Sequence, residues 1–254
     1  MRKLSFLAAV LLLVPSFVGA ISGSGSVRLL DPAIDLKDVA SLQRGAKLFV
    51  NYCLSCHNAS LARYNRMAAD IGLTEDQVKN NMMFATDKVG DVMKVAISSE
   101  DATKWFGVQP PDLSVVSRSK GIDWLYSYLL GFYKDDDPAR PFGVNNLIFP
   151  DVAMPHVLLD LQGVQIKKSH SGAGEESVSS TEMDNLLELA QPGLMDSVEY
   201  QNAVRDLVTF MAYLGEPTKL ERQQLGIWVL LFLAVLFVLS YGLKKEYWKD
   251  VKHT

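Results

Sequence analysis

Two thiols and an imidazole stand together in Cys53-Leu54-Ser55-Cys56-His57, and these two cysteines are the whole cysteine content of the 254-residue chain. Two thiols three positions apart on a helical turn can both add across the vinyl groups of one porphyrin edge, while the adjoining His57 offers its imidazole to the iron. The run therefore reads as a covalent haem attachment site. A structural zinc site would need a fourth ligand beyond these three groups. A thioredoxin-like pair would need a βαβ pattern where the flanking sequence is helical.

The other axial position decides whether such an iron carries electrons or binds ligands. Of nine methionines, Met67, Met82, Met83, Met93 and Met211 fit helix faces as core fillers, and Met183 and Met195 sit near polar turns. Met154 differs, because in Phe149-Pro150-Asp151-Val152-Ala153-Met154-Pro155 the prolines restrict the backbone and leave a ligating thioether little entropy to lose. His156, His170 and an open sixth position remain alternatives on the residues alone.

These groups need a scaffold. Between Val39 and Cys53, Leu42, Ala46, Phe49 and Cys53 recur at three- or four-residue spacing, one helical stripe that ends at the motif. Gly45 interrupts it at about 1 kcal/mol relative to alanine, a cost that makes sense where another helix crosses closely. The expected partner is a helix from Ser197 to Leu214, with Asp196 and Glu199 as a capping-box start and Gly215 and Pro217 as the stop. Further helices are expected over Glu75 to Ala85, near Asp87 to Ser98, and over Asp123 to Tyr133, where Trp124, Leu125, Tyr128, Leu129 and Phe132 line one face. Lys134 to Pro155 and Ser169 to Thr181 read as loops, and Val157 to Lys168 as a short hairpin about Gln162-Gly163.

The ends place the chain at a membrane. Residues 1–20 have the basic start, apolar stretch and small-residue finish of a secretory signal, followed by a Ser/Gly linker over Ser22 to Ser26. Residues 21–216 form one domain, 217–224 a linker, and 225–243 an apolar run long enough to cross a bilayer of roughly 30 Å as a single helix. Lys244, Lys245, Lys249 and Lys252 then place the tail, 244–254, in the cytoplasm and the domain outside. Residues 21–216 carry 26 acidic and 17 basic side chains, a formal charge of −9. Such a field favours a basic partner and argues against nucleic acid.

The haem motif after a Gly-bearing helix, then Pro110-Pro111-Asp112-Leu113-Ser114, Met154-Pro155 and a single C-terminal anchor, occur in the order that resembles the cytochrome c1 family, of proteobacterial type. That resemblance implies a mainly α fold: a class I cytochrome c-like haem domain with long loop insertions plus one C-terminal transmembrane helix. It implies one covalent haem c, with Cys53 and Cys56 as thioether positions, His57 as proximal and Met154 as distal ligand. Pro110 or Pro111 would wall the haem, and Arg118 and Lys120 fall where the propionates are met, Lys120 replacing the common arginine. Trp124 stands about where a tyrosine is usual. The implied role is electron transfer from a Rieske iron-sulfur protein to a cytochrome c acceptor, within a dimeric quinol-cytochrome c reductase of the bacterial inner membrane, the haem domain in the periplasm. Quinol oxidation would belong to the cytochrome b subunit, and this chain would make no substrate bond itself. Alternatives are a membrane-tethered c-type cytochrome of another respiratory pathway, and a haem sensor with an open iron.

Overall fold

A computed structural model describes residues 27–168 and 183–251. The signal-like segment, the Ser/Gly linker, and the polar loop over Ser169 to Thr181 with His170 lie outside the described residues.

Helix α1 (Val39–Leu48) begins where the Asp38 carboxylate accepts the Ser41 amide, and it buries Leu42, Gly45 and Ala46. It widens into a π-helical turn, Phe49–Cys53, with Phe49, Val50 and Cys53 buried. Strand β1 (Ala59–Arg63) leads into α2 (Tyr64–Asp70), followed by α3 (Glu75–Met82), which starts on a Thr74/Gln77 capping box. The helix expected near Asp87 to Ser98 is absent. Instead β2 (Val92–Met93) pairs antiparallel with β1, Ala59 opposite Met93, both fully buried. Burial against a partner strand outweighs the local periodicity, as short apolar runs allow. Helix α4 (Ser99–Phe106) stops at Gly107, whose φ of 75° is left-handed.

Helices α5 (Val116–Lys120) and α6 (Ile122–Leu130) follow, separated by Gly121. The expected helix to Tyr133 ends early, because Phe132–Lys134 forms β3 against β4 (Val144–Asn146). The hairpin expected over Val157 to Lys168 is also replaced: α7 (Leu159–Gln162) runs into β5 (Gly163–Lys167), which pairs with β6 (Leu187–Pro192) beyond the short α8 (Met183–Leu186). Gly163 has φ +91°, and a Cβ there would lie 2.1 Å from the Gln191 carbonyl oxygen. It is a point of close backbone approach between distant strands and not a turn tip.

Helix α9 (Ser197–Gly215) carries the expected Asp196/Glu199 capping box. It crosses α1 at Gly45, where an added Cβ would fall 2.1 Å from the Asp206 carbonyl oxygen and 2.8 Å from Phe210 Cβ. The buried Asp206 carboxylate accepts Ser41 Oγ at 2.6 Å and Arg44 Nε at 2.6 Å, and Phe49 packs on Phe210 with ring centroids 5.4 Å apart. Helix α10 (Lys219–Tyr247) has no buried residue. It begins before the apolar run, so most of the expected linker 217–224 is helical. At 1.5 Å per residue its 29 residues span about 44 Å, enough to cross a bilayer.

Candidate functional site

The α1 crossing fixes where the motif sits. Past the π turn the chain closes on itself, the amides of Cys56 and His57 donating to the Cys53 carbonyl at 3.1 and 2.9 Å. Cys53 is buried, and burial pushes its thiol up to about 12, with the neighbouring Cys56 adding to the effect. Among the described residues no group of three or more His, Cys, Asp or Glu is arranged to hold a metal ion.

The His57 ring lies with Nδ1 2.7 Å from the Pro111 carbonyl oxygen. Donation from Nδ1 leaves the Nε2 lone pair free, the arrangement that orients metal-ligating imidazoles. Desolvation lowers the His57 pKa against opposing contributions from Pro111 and Asp112, which favours the neutral ring. The Pro110-Pro111 segment is held in turn by Asp112, whose carboxylate accepts Ser60 N at 3.0 Å, Ser60 Oγ at 2.5 Å and Ser114 N at 2.8 Å, and by the Leu113 amide on the Asn58 carbonyl at 2.7 Å.

Two buried asparagines shape the approach to Met154. Asn146 Nδ2 donates to the Tyr128 carbonyl at 2.7 Å while its Oδ1 accepts the amides of Ile148 and Phe149 at 2.8 and 3.1 Å. Asn145 Oδ1 accepts the Asp151 amide at 2.9 Å, and Arg140 bridges Asp135 and Asp151. Asp151 takes the left-handed φ of +63°. The Met154 sulfur receives a hydrogen bond from the Tyr128 hydroxyl at 3.4 Å.

Motif and loop meet at one cavity of about 330 Å³. Cys53, Cys56, His57, Pro110, Pro111, Met154 and Pro155 all line it, with Leu125, Tyr128 and Leu129 from α6 and Leu207 and Met211 from α9. The lining is overwhelmingly apolar. Its single charged side chain is Lys120, whose Nζ stands 5.3 Å over the Trp124 ring, and Trp124 itself stacks on Tyr128 at 4.9 Å.

The profile of the Cytochrome C1 family matches residues 31–251. The chain belongs to the cytochrome c1 family. It is 49% identical to cytochrome c1 of Allochromatium vinosum over 99% of this chain and all of that one. It is 47% identical to a Nitrosomonas europaea protein named ammonia monooxygenase gamma subunit, over 99% and 100% of the two chains. At greater distance it is 26% identical to the mitochondrial cytochrome c1 haem protein of Saccharomyces cerevisiae, over 85% and 68%. As in the cytochrome c1 family, the cofactor is haem c and the work is electron transfer.

The candidate site residues named from sequence divide in two. Cys53, Cys56, His57, Pro110, Pro111, Lys120, Trp124 and Met154 are brought together around the cavity. Arg118 is not among the lining residues. It is exposed, its stem packs where a Cβ on Gly215 would reach it at 3.3 Å, and its charge acts on Glu216. His156 also stands apart from the lining: its ring stacks on Phe132 at 4.8 Å, and burial, partly offset by Gln162, pushes it down to about 4. Sequence reasoning missed Asp112, Asn145, Asn146 and Arg140 as organisers of the segments that line this cavity. The adjacent asparagines in a segment whose sequence reads as loop were the available signal, since asparagine side chains replace backbone partners in turns. The cavity fits a porphyrin, having apolar walls for the macrocycle, two thiols, a free imidazole nitrogen, a thioether and one cation for a carboxylate.

Proposed function

We propose that Cys53 and Cys56 would hold haem c through thioether bonds, that His57 Nε2 and Met154 Sδ would ligate its iron, and that the chain relays single electrons from a Rieske iron-sulfur protein to a c-type cytochrome within a quinol-cytochrome c reductase. The observation that carries this reading is the convergence of both thiols, the oriented imidazole and the thioether on one apolar cavity. Bound haem supplies reversible one-electron chemistry. The polypeptide orients His57 through the Pro111 carbonyl, presents Met154 on a loop pinned by Asn145 and Asn146, and keeps water away with the side chains of α6 and α9. Lys120 is the cation available to a propionate. A soft thioether favours ferrous iron and raises the potential.

The exposed helix α10 would anchor the domain beside a cytochrome b subunit in a dimeric inner-membrane complex, its lysine-rich end cytoplasmic and the haem domain periplasmic. The acidic domain would steer a basic acceptor. In the purified chain, Met154→Leu should abolish the sulfur-to-iron charge-transfer band near the red end of the spectrum and lower the potential, as read by optical redox titration. An unchanged spectrum would remove Met154 from the site. Purification without a cytochrome b and a Rieske protein would favour a tethered cytochrome of another respiratory chain.

A further inference from the structure

We propose that the Tyr128 hydroxyl tunes the Met154 thioether, donating a hydrogen bond to Sδ that draws electron density from the sulfur, weakens it as a donor to oxidised iron, and so favours the reduced state. The inference rests on the His57/Met154 ligation proposed above and assigns a tuning role to a residue that touches the ligand and not the iron.

The geometry is specific. The hydroxyl lies 3.4 Å from Sδ, hydrogen-bonding distance for sulfur. A thioether sulfur carries two lone pairs, so one can serve the iron while the other accepts the hydroxyl proton. Tyr128 has little freedom to point elsewhere: its ring stacks on Trp124 at 4.9 Å with an interplanar angle of 8° and meets Phe132 edge-on at 5.1 Å. Its carbonyl is held by Asn146, the residue that also gathers the Ile148 and Phe149 amides at the start of the Met154 loop. One side chain thus sets both donor and acceptor. A hydroxyl in so apolar a lining costs free energy unless it is bonded. Hydrogen bonds to ligating sulfur are a recognised lever on haem potentials, because an electron-poor ligand stabilises the ferric state less.

The test is Tyr128→Phe in the full membrane-anchored chain, a change that keeps the ring and removes only the hydroxyl. Optical redox titration should show the charge-transfer band retained and the ferric-to-ferrous ratio at fixed ambient potential raised about threefold. That is a midpoint lowered by about 28 mV at 59 mV per decade for one electron. Added imidazole competes with the thioether for ferric iron, and half-displacement should need about threefold more of it. In a Met154→Leu background the same change should move nothing, since the two residues would then be uncoupled. An unchanged potential overturns the proposal. So does easier displacement by imidazole, the result expected if the hydroxyl merely steadied the loop. A wild-type chain without the charge-transfer band would sink the ligation reading itself, whereas a band present in wild type with a silent Tyr128→Phe sinks only the tuning.

Discussion

Gly45→Ala tests how the Cys53–His57 segment is held. The new methyl would sit 2.1 Å from the Asp206 carbonyl oxygen and 2.8 Å from Phe210 Cβ, and the nearer atom is backbone that cannot swing aside. Forcing a methylene into a packed crossing costs about 1–3 kcal/mol, and the rigidity of this neighbour points to the upper end. Alanine returns about 1 kcal/mol in helix propensity. The net loss is therefore about 2 kcal/mol, a fall of about 4–8 °C in the thermal midpoint at about 2–4 °C per kcal/mol for a domain of this size. Circular dichroism of the full chain in detergent reads it, with Gly90→Ala, where nothing lies within 4 Å of the added carbon, as the control expected within about 0.5 kcal/mol of wild type. An equal or higher midpoint for Gly45→Ala would refute the claim that close backbone approach sets the angle at which α1 delivers Cys53 and His57.

Asp112→Ala should destabilise the domain by about 1 kcal/mol near neutral pH, through the lost hydrogen bonds to Ser60 and Ser114. Burial pushes the Asp112 carboxyl up, but the hydrogen bonds from Ser114 and Ser60 outweigh it and hold it below its ordinary 3.8. A carboxyl depressed in the folded state stabilises fully above its unfolded value, so the gap between wild type and variant should narrow as the pH falls below about 3.8. Denaturant titrations showing an undiminished gap well into acid would contradict this. Leu233→Arg should cost about 2.5–3.5 kcal/mol of insertion free energy and move protein from the membrane fraction to the carbonate-soluble one; full retention would argue that α10 does not span.

Much of the site could be read from the chain because its chemistry is local. Two thiols and an imidazole within five residues need only one turn to act together, and the stripe Leu42, Ala46, Phe49, Cys53 shows which face of that turn is buried. Gly45 revealed a crossing because a glycine inside a helix has a cost that close packing explains, and Asp196 with Glu199 marked where the crossing helix starts. The apolar run 225–243 needed no partner to be recognised. Elsewhere the local signals competed. Val92 and Met93 satisfy helix and strand periodicity alike, so their pairing with β1 depended on Ala59, more than thirty residues away.

Composition and spacing by themselves pointed to a haem motif, the α1–α9 scaffold and a helix long and apolar enough to cross a bilayer, since each follows from residues adjacent in the chain or repeating at a fixed period. Only the tertiary structure decided that Lys120 faces the cavity while Arg118, two positions earlier, packs by Gly215. It alone placed the Tyr128 hydroxyl on the Met154 sulfur and made Asn145 and Asn146 the frame of that loop. The physical reason is that hydrogen bonds between distant segments depend on how helices and loops pack in three dimensions, and neither periodicity nor propensity carries that information.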